Sequence, residues 1–315
     1  MIQVFYSSNG QAEVAETTTI LKEINVRNAL WLDLFNPTGD EKRAVEEFLG
    51  TNLQSRAQAE EIESSSRYSE TLDSIFINTD FLTPSADSYN MESVSFILTG
   101  NVITSIRQVP LRSFTDIQRR LLFNRKLYPT GFHILIGILE NRIDLDADMI
   151  ELMSKETAQY SRRVGLGEDV NEEFLLDINQ LQENTMLVRE NIVDKQRMLS
   201  SMLKSEKTPK SAHGKLNILL KDVSSLINHT NFSFERLEYL QNTVLGIINL
   251  DQNKIMKVFT FVSLLLMPPT LIASFYGMNI KLPLAGGNWD ILIVSGLMLA
   301  VIIGALIIFK VRKML

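Results

Sequence analysis

Two stretches near the C-terminus limit what this chain can fold into. Residues 258–280 and 291–309, 23 and 19 residues long, contain no charged side chain. At about 1.5 Å per helical residue, each is long enough to cross a hydrocarbon layer of roughly 30 Å. Segments such as IIGALIIF and VSGLMLAV are apolar all round, which a surface helix of a soluble protein cannot be. They predict two membrane-spanning helices joined by a short link that holds Lys281 and Asp290. Lys254 and Lys257 precede the first span, and Lys310, Arg312 and Lys313 follow the second. The positive-inside rule then places both the N-terminal part and the C-terminus in the cytoplasm of a cell whose inner membrane holds the chain. The opening residues MIQVFYSSNG have neither a basic start nor an apolar centre, so no signal peptide is expected.

The net charge of −6 averages two unlike parts. Residues 254–315 hold six basic side chains against one acid, or +5, which leaves 25 basic and 36 acidic residues, or −11, in 1–253. An acidic soluble part argues against nucleic acid as a partner, since phosphates require a basic face. The absence of cysteine excludes disulfides, thiolate metal sites and a cysteine nucleophile. Three scattered histidines, His133, His213 and His229, do not make a metal cage, and no nucleophile motif lies near them. No resident cofactor and no enzymatic chemistry are expected.

Residues 1–130 read as a mixed α/β domain. Runs at 2–6, 30–34, 74–81, 93–98 and 102–107 have strand length and β-branched content, and Gly100-Asn101 is a hairpin signal between the last two. Thr38 with Glu41 forms a capping box for a helix through Phe48, and a second helix follows Arg112. From Phe132 the strand pattern stops. Residues 132–165 and 170–206 predict two long helices that turn at VGLGED, giving a helical hairpin over 131–212. A third helix is expected to start near His213-Gly214 and run as a stalk through 213–279 into the first span. If its helical part ends at Gly277 it has about 60 residues and a length of roughly 90 Å. A break at 228–233, where the apolar spacing lapses, is the alternative. The link then occupies 280–289, the second span 290–309, and a basic tail 310–315.

One face of the first span is unusual. Steps of three and four give Asn253, Met256, Thr260, Ser263, Met267, Thr270, Ser274 and Gly277, while most positions between them are bulky and apolar. Small, weakly polar stripes arise from close helix packing. They also suit the wall of an ion path. With no carboxylate on the stripe, a cation would pass with its water attached, which matches Mg²⁺ and its reluctance to dehydrate. Two helices cannot enclose a path alone, so a pore would need several copies. Gly296, Ala300 and Gly304 form a small-residue ladder on the second span, expected to serve packing.

The first span closes on Tyr276-Gly277-Met278-Asn279, which resembles the signature of the CorA family of magnesium transporters. The likeness continues through Asn253-Lys254-Ile255-Met256-Lys257, Thr260, and Met267-Pro268 with Thr270, and more weakly through ALWLDLFNPTGDEK, SSRYSETLDSIFINTDFL, ESVSFILTGNVITSIRQ and GFHILIGILENRIDLDADMIELM. The resemblance implies an α/β/α funnel domain, a stalk helix and two spans, assembled as a homopentamer around the ion path. It implies that Gly277, Met278 and Asn279 form the outer mouth, where Asn279 oxygens bind hydrated Mg²⁺. It places Asn253, Met256, Thr260, Ser263, Met267 and Thr270 along the pore, and Lys310, Arg312 and Lys313 in a basic ring at the membrane surface. Flux would be passive: two charges across 100 mV are worth about 4.6 kcal/mol, and no Walker-type loop is present.

The link departs from the family pattern. Instead of the acidic Met-Pro-Glu-Leu run of magnesium members it reads IKLPLAGGNW, whose only charge is Lys281. Cobalt and nickel are further candidate ions, and the zinc-transporting ZntB branch is an alternative, although that branch commonly replaces the Met of the triplet. A membrane-anchored scaffold or sensor is the alternative in another class. Feedback by intracellular Mg²⁺ is implied as well, with Asp222 the position most like the family's regulatory carboxylate and Ser225 where a second acid would stand.

Overall fold

The structure is a computed structural model that describes residues 1–53, 67–167, 170–278 and 289–311. It divides into two compact units, Met1–Asn242 and Thr243–Leu315.

The first unit is built on a seven-stranded sheet ordered β2-β1-β3-β7-β6-β5-β4. Its strands are β1 (Ile2–Ser8), β2 (Gln11–Ala15), β3 (Ala29–Phe35), β4 (Tyr68–Glu70), β5 (Ser74–Pro84), β6 (Tyr89–Thr99) and β7 (Val102–Arg107). Only β3 and β7 run parallel; the other pairs are antiparallel. The Gly100-Asn101 turn joins β6 to β7, with Gly100 at φ +58°. The strand expected at 2–6 extends to Ser8, and β2 follows it where the sequence pattern predicts no strand before residue 30. Instead Asn9 and Gly10 take φ of 50° and 83° and fold β2 back on β1. Asn-Gly is among the strongest hairpin signals, because both residues tolerate the positive φ that matches strand twist.

Short helices α1 (Ile20–Glu23) and α2 (Gly39–Leu49) cover one face of the sheet. There Leu32, Leu34, Ile97, Val102 and Ile106 meet Leu21 and Val45 in one apolar core. α2 begins as expected, with Glu41 N–H donating to Thr38 Oγ1 and Thr38 N–H donating to the Glu41 carboxylate at 2.8 Å. On the other face Trp31 stacks on Phe5 and packs against Phe114 of α3 (Arg112–Phe123). Leu32 and Leu34 on one side with Trp31 and Asp33 on the other follow the two-residue period of a strand.

The helical hairpin is α4 (Gly131–Leu166) and α5 (Glu172–Lys204). Gly131 N–H donates to Asn101 O at 2.7 Å, and a Cβ there would stand 2.4 Å from the Ile103 backbone nitrogen. A glycine is what allows α4 to start directly against β7. The long helix α6 is Lys210–Tyr276, continuous and beginning three residues before the expected start. The expected alternative of a break at 228–233 does not occur. The apolar pattern lapses there because Thr230 and Ser233 are themselves buried, the first donating to Ile227 O and the second facing Ser154. The last helix, α7, is Asp290–Val311.

Candidate functional site

The second unit holds the end of α6 and all of α7. Each contains an 18-residue stretch apolar enough to cross a membrane, with mean hydropathy 1.9 and 3.0, none of it buried within the protein. The Phe261 ring meets the Phe309 ring edge-on at 5.1 Å, which fixes the side of α6 turned toward α7. Beyond residue 250 the half-buried residues of α6 share that side: Phe261, Leu265, Pro268, Pro269, Ile272 and Tyr276.

Asn253, Met256, Thr260, Ser263, Met267, Thr270, Ser274 and Gly277 are all exposed in the protomer. At about 100° of rotation per residue, their mean direction lies roughly 170° from that of the α7-facing side. The stripe is therefore on the opposite face of α6 and does not serve packing between the two spans of one chain. The Gly296–Ala300–Gly304 ladder of α7 also lies off the side bearing Phe309, with Gly296 and Ala300 exposed. The packing expected of it is not against the first span of its own chain.

The stripe has a defined polarity. Thr260 Oγ1 donates to Met256 O at 2.8 Å, and Thr270 Oγ1 donates to Leu266 O at 2.7 Å. Each hydroxyl proton is thus held by the helix and the oxygen lone pairs are left to face outward. What the stripe offers is neutral oxygen and thioether sulfur, with no fixed charge. Pro268 and Pro269 lie within α6 and carry no N–H, so the carbonyls of Leu264 and Leu265 lose their usual helical donors.

α6 ends at Tyr276, where the signature begins. Gly277 N–H closes on Ala273 O at 2.9 Å and Met278 N–H reaches Phe275 O at 3.4 Å. A Cβ at Gly277 would approach Ala273 O at 3.2 Å, so a larger residue would strain this last turn. Met278 is half exposed. Asn279 lies outside the described residues, as do Arg312 and Lys313; Lys310 is exposed in the last turn of α7.

Asp222 is exposed on α6 in the first unit. Among the described residues no group of three or more His, Asp or Glu is arranged to hold a metal ion.

A model of the CorA-like Mg²⁺ transporter protein family matches residues 27–313. The chain belongs to this family. A magnesium transport protein CorA of Wolinella succinogenes is 33% identical over the full length of both chains. The complete structure of the CorA magnesium transporter from Methanocaldococcus jannaschii superposes with a TM-score of 0.78 at 18% identity, covering 98% of this chain and 97% of that one. The cytoplasmic domain of ZntB from Vibrio parahaemolyticus shares the fold more loosely, with a TM-score of 0.58 and 78% of this chain covered at 18% identity. The expected architecture of a soluble α/β domain, a long helix and two apolar C-terminal helices is therefore that of full-length CorA. As a CorA-family protein with two such helices, the chain is a membrane protein.

The sequence reading missed the polar interior of this CorA-type soluble unit. Lys195 is fully buried, with Nζ 2.8 Å from Asp146 Oδ2 and bonded also to Asn191. Asp146 accepts from Arg142 Nε at 2.9 Å, and both cations lie near the face of Phe81. Desolvation holds the Lys195 ammonium below its ordinary pKa, against the opposing pull of Asp146. Arg67 continues the chain of charges to Asp80 at 2.7 Å and Asp194 at 3.1 Å. In the sheet, Asp33 is held by Arg107 at 2.8 Å and by Ser105 at 2.7 Å. A cleft of about 330 Å³ lies between the β5–β6 turn and the α4–α5 hairpin, where Asp87, Glu156 and Asp177 face Tyr89 and Tyr160. Burial, then Glu156, pushes the Tyr89 phenol up. The i, i+4 spacing of Arg142 and Asp146 was visible in the sequence, but it looks the same as a surface pair.

Proposed function

We propose that this chain is one protomer of a Mg²⁺ channel, assembled as a homopentamer with the Asn253–Gly277 stripe of each copy lining a common path. The observation that carries the reading is the placement of the stripe. It is exposed, carries outward-facing oxygen, and points away from α7, the second span among the described residues. A helix that turned this face to lipid would set the hydroxyls of Thr260, Ser263, Thr270 and Ser274 against hydrocarbon, which is unfavourable. Copies arranged about an axis resolve the conflict by turning the stripe to water. Neutral oxygens suit an ion that crosses with its first water shell, the behaviour expected of Mg²⁺. Membrane potential supplies the driving force, and Gly277, Met278 and Asn279 form the outer mouth. The name of the Wolinella relative and the retained Met278 support Mg²⁺ over Zn²⁺ as the cargo.

In this reading the soluble unit lies in the cytoplasm and senses internal Mg²⁺ between protomers. The −11 of residues 1–253 makes packed copies repel unless cations bridge them, and Asp222 is the candidate bridging carboxylate. The basic residues Lys310, Arg312 and Lys313 ring the path at the membrane surface.

The test is flux into liposomes holding the purified chain, with Mg²⁺, Co²⁺, Ni²⁺ and Zn²⁺ compared with and without a proton gradient. Mg²⁺ flux driven by potential alone, lost in Asn279→Ala with the oligomer intact, supports the proposal. Proton-coupled Zn²⁺ flux without Mg²⁺ flux overturns the ion, and normal flux in Asn279→Ala removes that residue from the mouth. Asp222→Ala is expected to weaken inhibition by internal Mg²⁺.

A further inference from the structure

The stripe repeats in sevens, from Asn253 through Thr260 and Met267 to Ser274, and from Met256 through Ser263 and Thr270 to Gly277. The same count runs back along α6 before the stripe begins. From Asn253 it meets Gly246, Tyr239, Phe232 and Ser225; from Met256 it meets Asn249, Asn242, Glu235 and Asn228. All eight are exposed in the protomer. In the soluble unit α6 buries Leu216, Leu219, Val223, Leu237 and Leu240. At about 100° per residue these are centred roughly opposite the seam that runs from Ser225 to Asn242. On the flank between them, α5 already holds Ser224 through Gln196 at 2.9 Å and Asn231 through Arg189 at 2.6 Å. The seam is therefore the middle of the face that one protomer leaves uncovered.

A seven-residue repeat keeps one side of a helix on a common axis only when like helices wind around one another with a left-handed twist. That selects a second copy of this chain, whose α6 carries the same repeat, as what meets the seam. The composition excludes a dry contact. A packed coiled coil keeps these positions apolar, whereas Asn228, Glu235 and Asn242 are polar. Equivalent residues of symmetric copies stand at one level, so a dry seam would set Glu235 against Glu235, which like charge makes unfavourable. Water between the copies removes that cost. Two large rings interrupt the polar run: Phe232 is 65% exposed and Tyr239 72%. They stand two turns, about 10 Å, apart, with Glu235 between them.

We propose that Phe232 and Tyr239 of the assembled copies form two aromatic constrictions, one on each side of a Glu235 level, in a water-filled continuation of the ion path along α6. Apolar rings narrow a path by hindering its wetting, and carboxylates between them favour a cation over an anion there. The proposal rests on the pore reading of the stripe, which sets the axis that the copies share.

The chain contains no cysteine, so single cysteines at Phe232 and Tyr239 test the assignment in the full-length protein in liposomes. Cysteines at Leu176 and Met186, exposed on α5, serve as positions off the seam. A short bis-thiosulfonate that spans the roughly 8–10 Å between packed helices should join copies through position 232 or 239 and not through 176 or 186. A cationic thiosulfonate applied from the side of the soluble unit should then lower Mg²⁺ flux about tenfold at 232 or 239, the effect of one positive charge on a divalent ion about 6 Å away through water. Labelling at 176 or 186 should leave flux within twofold. Each labelled protein is compared with the same variant unlabelled, so a folding defect does not enter the comparison. No cross-link between copies at 232 and 239, or cross-links at positions that the soluble reagent does not reach, would overturn the proposal. Cross-links with labelled flux unchanged overturn the constrictions alone, whereas a wild type that carries no Mg²⁺ overturns the pore reading and the constrictions with it.

Discussion

Replacing Thr260 with valine probes the proposed conduction face with almost no change of shape. The side chain keeps its branching and volume and loses a single oxygen. That oxygen donates its proton to Met256 O at 2.8 Å, so its lone pairs are its contribution to the stripe. The Met256 carbonyl retains its backbone helical partner, so the structural cost should stay within the ~1 kcal/mol of an ordinary hydrogen bond. The transport cost is larger if the stripe lines the proposed path, because the lost contact is then to water polarised by a divalent cation. A hydrogen bond to a charged group is worth about 1.5–3 kcal/mol, and each 1.4 kcal/mol is tenfold in rate. Thr260→Val is therefore expected to slow Mg²⁺ flux in liposomes roughly ten- to a hundredfold at unchanged oligomeric mass. Thr260→Ser, which keeps the oxygen, should stay near wild type, as should Leu265→Val on the α7-facing side. Flux within twofold of wild type in Thr260→Val would refute the reasoning.

Two further predictions concern the soluble unit. Lys195→Met leaves the buried Asp146 with one cation instead of two, and breaking a buried pair costs about 3–5 kcal/mol, so thermal unfolding should shift down by roughly 10 °C; a shift under about 2 °C would mean that Arg142 alone satisfies the carboxylate. His133 is held below its ordinary pKa of 6.5, first by burial and then by Lys215. The native state therefore binds fewer protons than the unfolded chain just below that pH, so this contribution to stability is complete above pH 6.5 and is lost as the pH falls. Denaturation midpoints between pH 7.5 and 5.5 should decline less in His133→Gln than in wild type, and parallel declines would contradict the assignment.

How much of this was legible in the sequence depended on the range of the interaction. The Thr38–Glu41 capping box spans three residues and was read directly; Asn9-Gly10 was as local and as readable, and went unread. The stripe of α6 was legible because helical periodicity alone puts its members on one face. The side of the helix that meets α7 was not, since it depends on how Phe261 and Phe309 pack. The continuity of α6 through 228–233 was obscured because buried Thr230 and Ser233 look like surface residues in a hydropathy pattern. The Lys195 network joins residues from Arg67 to Lys195, and no local spacing announces a contact of that range.

The central claim is that the Asn253–Gly277 face of α6 meets water along an ion path, and the chain is suited to testing it because it contains no cysteine. Single cysteines at Met256, Thr260, Ser263, Met267 and Thr270, and at Phe261, Leu265 and Ile272, can be placed one at a time on this clean background. They are then treated with a membrane-impermeant thiosulfonate while Mg²⁺ flux is recorded. The stripe positions are expected to react and block flux with a helical period of about 3.6 residues, while the α7-facing positions stay silent. Block at Phe261, Leu265 and Ile272 with none on the stripe would contradict the account.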